Sequence, residues 1–300
     1  MLNQKKLLGQ YYTIKNPFNG GAFELWNTVR PKDCTIIEPF AGAGNLFPFM
    51  PNDKWDGFDL EPKADGIKQQ DTIKNYPTGY RVAITNPPYL AKNSLKRKKG
   101  IVNFKHEDLY LDCTEVMLNN CEYVVAIIPS TFYGTKLFRE RLIAWDKLDY
   151  KLFNDTDVPV GVAYFGPDKY ETKIYVNGEE VNDIPLNSKN KNLKFNVENG
   201  NYVLTAIDNT KQENISIKKV DDTFNRQKFL KNTSRNYSLF YSEQEINCDI
   251  VNKKISDWRK LTKDFHLTSF KSLMKCGKYR KRIGFDTLKY FITDDSLICK

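Results

Sequence analysis

The chain has 300 residues, of which 40% are hydrophobic, and a formal net charge of +9. That length is enough for two domains or one large one, and the composition can support a proper core. No apolar run approaches the ~20 residues of a membrane span, and Met1-Leu2-Asn3-Gln4-Lys5-Lys6 leads into no apolar signal segment, so a cytoplasmic protein without membrane attachment is expected. Cysteines 34, 113, 121, 248, 276 and 299 form no Cys-x-x-Cys pair, which favours reduced thiols over a zinc site. His106 and His266 are the only histidines, so a His-rich centre is excluded, no metal is expected, and neither histidine is given a role. Charge is uneven. Residues 1–175 carry 23 Lys/Arg against 21 Asp/Glu (net +2), and residues 176–300 carry 23 against 16 (net +7). A basic second half suits a polyanionic partner.

In chain order, Thr35-Ile36-Ile37 leads into Glu38-Pro39, Trp55 to Phe58 into Asp59, Val82 to Thr85 into Asn86, and Tyr123 to Ile128 into Pro129. Each reads as a short strand stopped by a polar or Pro/Gly turn, and stretches of helical length lie between most of them. One of these, His106 to Asn120, carries Leu109, Cys113, Val116 and Met117 on a single stripe. This βαβ alternation predicts a mostly parallel, doubly wound α/β sheet. Beyond about residue 165 the pattern changes. Lys173 to Val176 followed by Asn177-Gly178 reads as a hairpin, and Asn199-Gly200 before Tyr202-Val203-Leu204 reads the same way. Residues 221–300 mix helices, around Phe224 to Leu230 and Ile255 to Leu261, with further strands. The predicted domains are 1–175 and 176–300.

Four motifs sit at predicted strand ends, where open α/β sheets hold ligands. Glu38-Pro39-Phe40-Ala41-Gly42-Ala43-Gly44 follows the first strand, and its glycines permit a tight turn and close backbone approach. It lacks the Gly-Lys-Ser/Thr of a phosphate loop. Asp59 ends the second strand, 17 residues after Gly42, where an acid usually meets ribose hydroxyls. Asp71 lies where a third strand should end. Asn86-Pro87-Pro88-Tyr89 ends the next strand, because neither proline can extend a ladder. It presents an amide acceptor beside a ring, which suits chemistry on the exocyclic amine of a base.

Taken in that order, these motifs resemble an S-adenosylmethionine-dependent DNA adenine-N6 methyltransferase. Gly9-Gln10-Tyr11-Tyr12-Thr13 is similar to the segment that, in the family, precedes the first strand and closes over the methionine end of the cofactor. The resemblance covers roughly residues 9 to 165. It implies a Rossmann-like class I methyltransferase domain over 1–175, then a smaller mixed, strand-rich target-recognition domain over 176–300. It also implies roles. Tyr11, Tyr12, Thr13, Glu38, Pro39, Ala41, Gly42, Gly44, Asp59, Asp71 and Asn86 would bind S-adenosylmethionine. Glu38 would face the methionine amine, Asp59 the ribose and Asp71 the adenine amine. Asn86, Pro87, Pro88 and Tyr89 would form the catalytic motif, with Asn86 and the Pro87 carbonyl accepting from the target N6 and Tyr89 stacking on a flipped base. Phe153 or Phe165 is the candidate second aromatic on that base. Only 44 residues separate Gly42 from Asn86, which leaves no room for an inserted recognition domain and resembles the gamma motif order. The chain departs from the family where Thr13 is followed by Ile14-Lys15-Asn16-Pro17 instead of proline.

Two basic clusters are candidate phosphate contacts: Lys92, Lys96, Arg97, Lys98 and Lys99 after the catalytic motif, and Lys278, Arg280, Lys281 and Arg282 in the second half. The expected partner is double-stranded DNA, with a restriction endonuclease acting on the same site, and the expected state is a monomer. The alternatives are an RNA adenine-N6 methyltransferase, a protein-glutamine methyltransferase (disfavoured by the ~35 residues before the cofactor loop) and a non-catalytic DNA-binding subunit.

Overall fold

The structure, a computed structural model, describes residues 11, 13–51, 54–92, 105–186, 193–231 and 236–293. It divides into two compact units, Met1–Glu180 and Val181–Lys300. The first is built on a nine-stranded sheet in the order β3-β2-β1-β4-β5-β7-β6-β8-β9. Its strands are β1 (Ile36–Glu38), β2 (Trp55–Asp59), β3 (Ile67–Gln69), β4 (Val82–Thr85), β5 (Tyr123–Pro129), β6 (Leu142–Lys147), β7 (Val160–Phe165), β8 (Lys173–Val176) and β9 (Glu179–Glu180). All neighbours pair in parallel except where β7 and β9 run against the rest. The sheet is Rossmann-like, as expected, with its order reversing between β1 and β4.

The apolar runs dictate this arrangement. Ile36, Ile37, Val82, Ala83, Ile84 and Val124 to Ile128 are all buried, as strands covered on both faces require. On one face Ile36, Ile84, Val125 and Ile127 join Trp26 and Phe153 in a single cluster. Helix α1 (Gly21–Val29) closes that side, with Trp26 Nε1 donating to the Phe165 carbonyl at 2.9 Å. Helix α2 (Leu109–Asn120) lies against β5, with Cys113 and Met117 buried on the predicted stripe. It starts at Leu109, so His106 precedes it.

The helical crossovers expected between β1 and β4 are absent among the described residues. Among its described residues the β1–β2 link holds one helical turn, the 3-10 segment Phe47–Phe49. Pro39, Pro48 and Pro51 break that link and Pro77 the one before β4. The open cleft lies above these loops.

Asn177-Gly178 forms the predicted hairpin turn, with φ of 53° and 80°. Asp146 on β6 holds the turn from within the fold, its Oδ1 accepting from Gly178 N at 3.0 Å. Burial pushes its carboxyl up to about 7 against those hydrogen bonds. A raised acid keeps its proton in the folded state while the unfolded chain releases it. Its stabilising contribution is therefore complete below the ordinary Asp range and is lost as pH rises to 7, by roughly 4 kcal/mol. Asn retains the acceptor without the charge. Melting of Asp146→Asn and parent from pH 5 to 8 is expected to show the variant gaining on the parent as pH rises. A constant difference would remove this assignment.

The second unit contains a four-stranded antiparallel sheet in the order β10-β13-β11-β12 and the two-stranded β14–β15. The strands are β10 (Lys194–Phe195), β11 (Tyr202–Thr205), β12 (Ser216–Lys219), β13 (Tyr237–Tyr241), β14 (Thr268–Leu273) and β15 (Tyr279–Arg282). Helices α4 (Arg226–Lys231), α5 (Cys248–Thr262) and α6 (Phe285–Thr293) complete it; a short α3 (Phe132–Thr135) belongs to the first unit. Asn199-Gly200 is not a hairpin, because β10 pairs with β13 and not with β11. Gly200 is there for proximity: a Cβ on it would lie 2.8 Å from the Phe240 backbone. Among the described residues, Cys34, Cys113, Cys121, Cys248 and Cys276 are free thiols. No described helix is long and apolar enough to cross a membrane.

Candidate active site

The carboxyl ends of β1, β2, β3 and β4 open onto one cleft of about 1050 Å³ including its mouth. It lies at the sheet's topological switch, where α/β folds bind ligands. Tyr11, Thr13, Glu38, Ala41, Gly42, Asp59, Asp71 and Asn86 all line it. Gly42 and Gly44 turn the loop after β1 with φ of 55° and 74°. At Gly44 a side chain would also strike the Phe47 ring at 2.7 Å.

Asp59 shapes that loop as well as facing the cleft. Its Oδ2 accepts from Gly42 N at 2.7 Å and its Oδ1 from Glu61 N at 2.8 Å. Glu38 is 2% exposed, and its Oε2 has no hydrogen-bond partner. Burial first, and the neighbouring Asp59 charge second, push its carboxyl well above the usual range. Thr13 Oγ1 is a second buried, unpartnered oxygen on the same wall. Two buried polar oxygens left without hydrogen-bond partners are costly unless a ligand supplies the partners. Pro39 is buried behind the loop, its carbonyl accepting from Thr72 Oγ1 at 2.9 Å. At Asp71 the upward push of burial is outweighed by hydrogen bonds and charge from Lys74, so its carboxyl lies below the usual range.

Asn86 follows β4 and is oriented by its neighbours. Its Nδ2 donates to the Tyr11 carbonyl at 2.7 Å, which leaves Oδ1 as the acceptor, and Oδ1 lies 2.7 Å from the Tyr89 hydroxyl. The same hydroxyl lies 2.7 Å from the Ile127 carbonyl. Burial, then Tyr110 and Tyr11, raise the Tyr89 phenol, so it stays a donor. Pro87 is buried and Pro88 lines the cleft. The Tyr89 ring packs between Tyr11 at 5.7 Å, Tyr110 at 6.2 Å and Phe153 at 6.2 Å. Phe153 also pairs with Thr13 and packs on Tyr11. Phe165 is opposite Val124, near the start of β5, and packs on Phe132. Of the two candidate aromatics, only Phe153 thus shares the Asn86 neighbourhood.

Tyr12 and the basic residues Lys96, Arg97, Lys98 and Lys99 lie outside the described residues. Lys92 is half-buried, its backbone N–H bonded to the Glu107 carbonyl. In the second unit Lys278 is exposed, and Arg280 and Arg282 are half-buried. Lys281 is 1% exposed with Nζ on Ser269 Oγ. That burial corrects its grouping as a phosphate contact, because in this form its ammonium does not reach the surface. Strand alternation explains this: Tyr279 and Lys281 point inward, Lys278 and Arg280 outward. Sequence reasoning also missed the cleft's apolar rim. Leu60 and Ile73 line the cleft yet remain exposed, and the position of Leu60 immediately after Asp59 was the available signal.

No family model matches the chain, and no curated protein does. Similar solved structures include the methyltransferase subunit of a type I restriction-modification system from Streptococcus thermophilus, at 13% identity and TM-score 0.38 over 85% of this chain and 58% of that one. The type I restriction enzyme EcoKI M protein is similar at 16% identity and TM-score 0.38 over 58% of this chain and 50% of that one. A protein from Listeria monocytogenes described as a class I S-adenosylmethionine-dependent methyltransferase is similar at 14% identity and TM-score 0.37 over 51% of this chain and 64% of its own. The chain thus spans less than two thirds of each of these structures.

Proposed function

We propose that the chain is an S-adenosylmethionine-dependent DNA methyltransferase acting on the N6 amine of a flipped-out adenine, of the kind that protects sites from a restriction endonuclease. The observation that carries this reading is the single cleft joining Glu38, with its buried unpartnered oxygen, to the oriented acceptor Asn86. The donor set fits the cofactor. Glu38 and Thr13 would accept from an ammonium, Asp59 from ribose hydroxyls and Asp71 from the adenine amine, while Leu60 and Ile73 would offer apolar walls to a flat ring. When bound, S-adenosylmethionine supplies an electrophilic methyl group.

The chain's own part is orientation. Tyr11 holds the Asn86 amide so that Oδ1 faces an incoming amine, and Oδ1 with the Pro87 carbonyl would fix the amine's protons and aim its lone pair. The amine gains a methyl and sheds one proton to water, so no strong base is needed. Tyr89 would leave Asn86 to stack on the base, with Phe153 closing behind it. Lys92, Lys96, Arg97, Lys98, Lys99, Lys278, Arg280 and Arg282 are proposed phosphate contacts, and residues 181–300 are proposed to read sequence.

Incubation with labelled S-adenosylmethionine and unmethylated bacterial DNA, followed by direct sequencing, is expected to show N6-methyladenine confined to one short motif. Bound cofactor with label only in total RNA would overturn the DNA assignment. Absence of cofactor binding would overturn the whole reading.

A further inference from the structure

Outside the cleft, three side chains converge just before and within α2. One nitrogen of His106 and one carboxylate oxygen each from Asp112 and Glu115 lie within 4.8 Å of one another. Asp112 is 7% exposed. Its Oδ1 accepts from the backbone N–H groups of Lys105 and His106 at 3.1 and 3.2 Å, which fixes the carboxylate. Its Oδ2 is sealed from solvent with no hydrogen-bond partner. His106 Nε2 is likewise sealed and makes no hydrogen bond, although it is 3.4 Å from Glu115 Oε2. Lys105 Nζ binds the other oxygen, Glu115 Oε1, from an exposed position. Two carboxylates and an imidazole thus converge, and Asp112 Oδ2 is left buried among them without a hydrogen-bond partner. Asp112 and Glu115 lie three residues apart on one helix face, and the turn into the helix brings His106 over them.

We propose that His106, Asp112 and Glu115 bind a first-row divalent cation of the zinc class. The donor chemistry decides the class. Imidazole nitrogen with carboxylate oxygens suits zinc and its neighbours, whereas magnesium and calcium take oxygen. Zinc bonds to these donors at about 2.0–2.2 Å, so the three atoms must close by about 1 Å, which side-chain rotation supplies. Lys105, 69% exposed at its side chain, is free to turn toward water as the cation replaces it.

The site has a mechanical role. Leu90 to Lys92 pair with Glu107 to Leu109 through Leu109 N to the Leu90 carbonyl at 3.0 Å and Lys92 N to the Glu107 carbonyl at 2.8 Å. His106 directly precedes Glu107 of that short pairing, and Leu90 adjoins Tyr89. A cation joining His106 to α2 fastens the ladder, and with it the chain leaving Asn86-Pro87-Pro88-Tyr89, to a rigid helix.

The test uses the full chain, stripped of metal with a chelator and carrying Cys276→Ser, since that exposed thiol is an adventitious zinc ligand. Calorimetric titration with Zn²⁺ is expected to show one equivalent bound, with Tm raised on binding. Glu115→Gln and His106→Ala, each on a partly exposed side chain, are expected to weaken binding at least ~10-fold and abolish the Tm rise. Co²⁺ is expected to give visible absorption in the parent and not in the variants. No saturable uptake, uptake unchanged in both variants, or equal affinity for Mg²⁺ would overturn the proposal. These readouts are independent of methyl transfer.

Discussion

Replacing Asn86 with alanine is expected to lower methyl transfer by about 10²–10³-fold while the protein still binds S-adenosylmethionine and DNA. The size follows from geometry. Oδ1 is the side-chain acceptor at the end of β4, and the Nδ2 bond to the Tyr11 carbonyl sets its direction. Truncation removes the acceptor and frees the Tyr11 segment, which costs about 1 kcal/mol in stability. The loss should therefore fall on kcat in single-turnover assays, with the cofactor Kd moving less than ~10-fold. A variant of parental rate would refute the catalytic assignment. One whose cofactor binding disappears would show that Asn86 acts by holding the cleft together.

The second large effect is on stability. Arg259 on α5 lies inside the second unit, bonded to Asp208 at 3.0 and 2.8 Å and to Asp264 at 2.7 and 2.9 Å. Burial works against its charge, but the two carboxylates outweigh it and raise the guanidinium above its ordinary range. Asp208 also accepts from the backbone N–H groups of Asn214, Ile215 and Lys281, so it ties the loop before β12 to β15. Arg259→Met is expected to destabilise this unit by about 3–5 kcal/mol, because it strands two buried acids. Urea unfolding followed by tryptophan fluorescence would read it through Trp258, the neighbouring buried indole. Adding Asp208→Asn should recover part of the loss, since one stranded charge disappears. A single variant as stable as the parent would show that the network contributes nothing.

Local signals in the sequence located what local physics decides. Ile36-Ile37, Val82 to Ile84 and Val124 to Ile128 are apolar throughout, as strands covered on both faces must be. Asn177-Gly178 is a turn because its two residues tolerate positive φ. Glu38, Asp59, Asp71 and Asn86 were legible as cleft residues because each ends or closely follows a strand, and the parallel sheet brings those ends to one edge. Pairings between distant segments left no such mark. Nothing near Asn199-Gly200 indicates that β10 seeks β13, and nothing near Lys281 shows that its side chain faces inward. Arg259 meets Asp208 across 51 residues, a separation that periodicity does not encode. His106 looked unremarkable because its partners lie on the helix that follows it, one of them buried.

Under the proposed function, the Tyr89 hydroxyl on Asn86 Oδ1 would act as a stand-in for substrate. An arriving amine would then trade places with a phenol instead of meeting an empty acceptor, so hydrogen bonding to the ground-state base would add little affinity. Under the proposed chemistry the amine turns cationic as the methyl arrives, and its N–H groups then donate about twice as strongly as a neutral phenol. The exchange is near even at binding and lopsided at the barrier. Asn86 would then discriminate between the resting and the reacting amine, and its contribution would register as rate more than as grip.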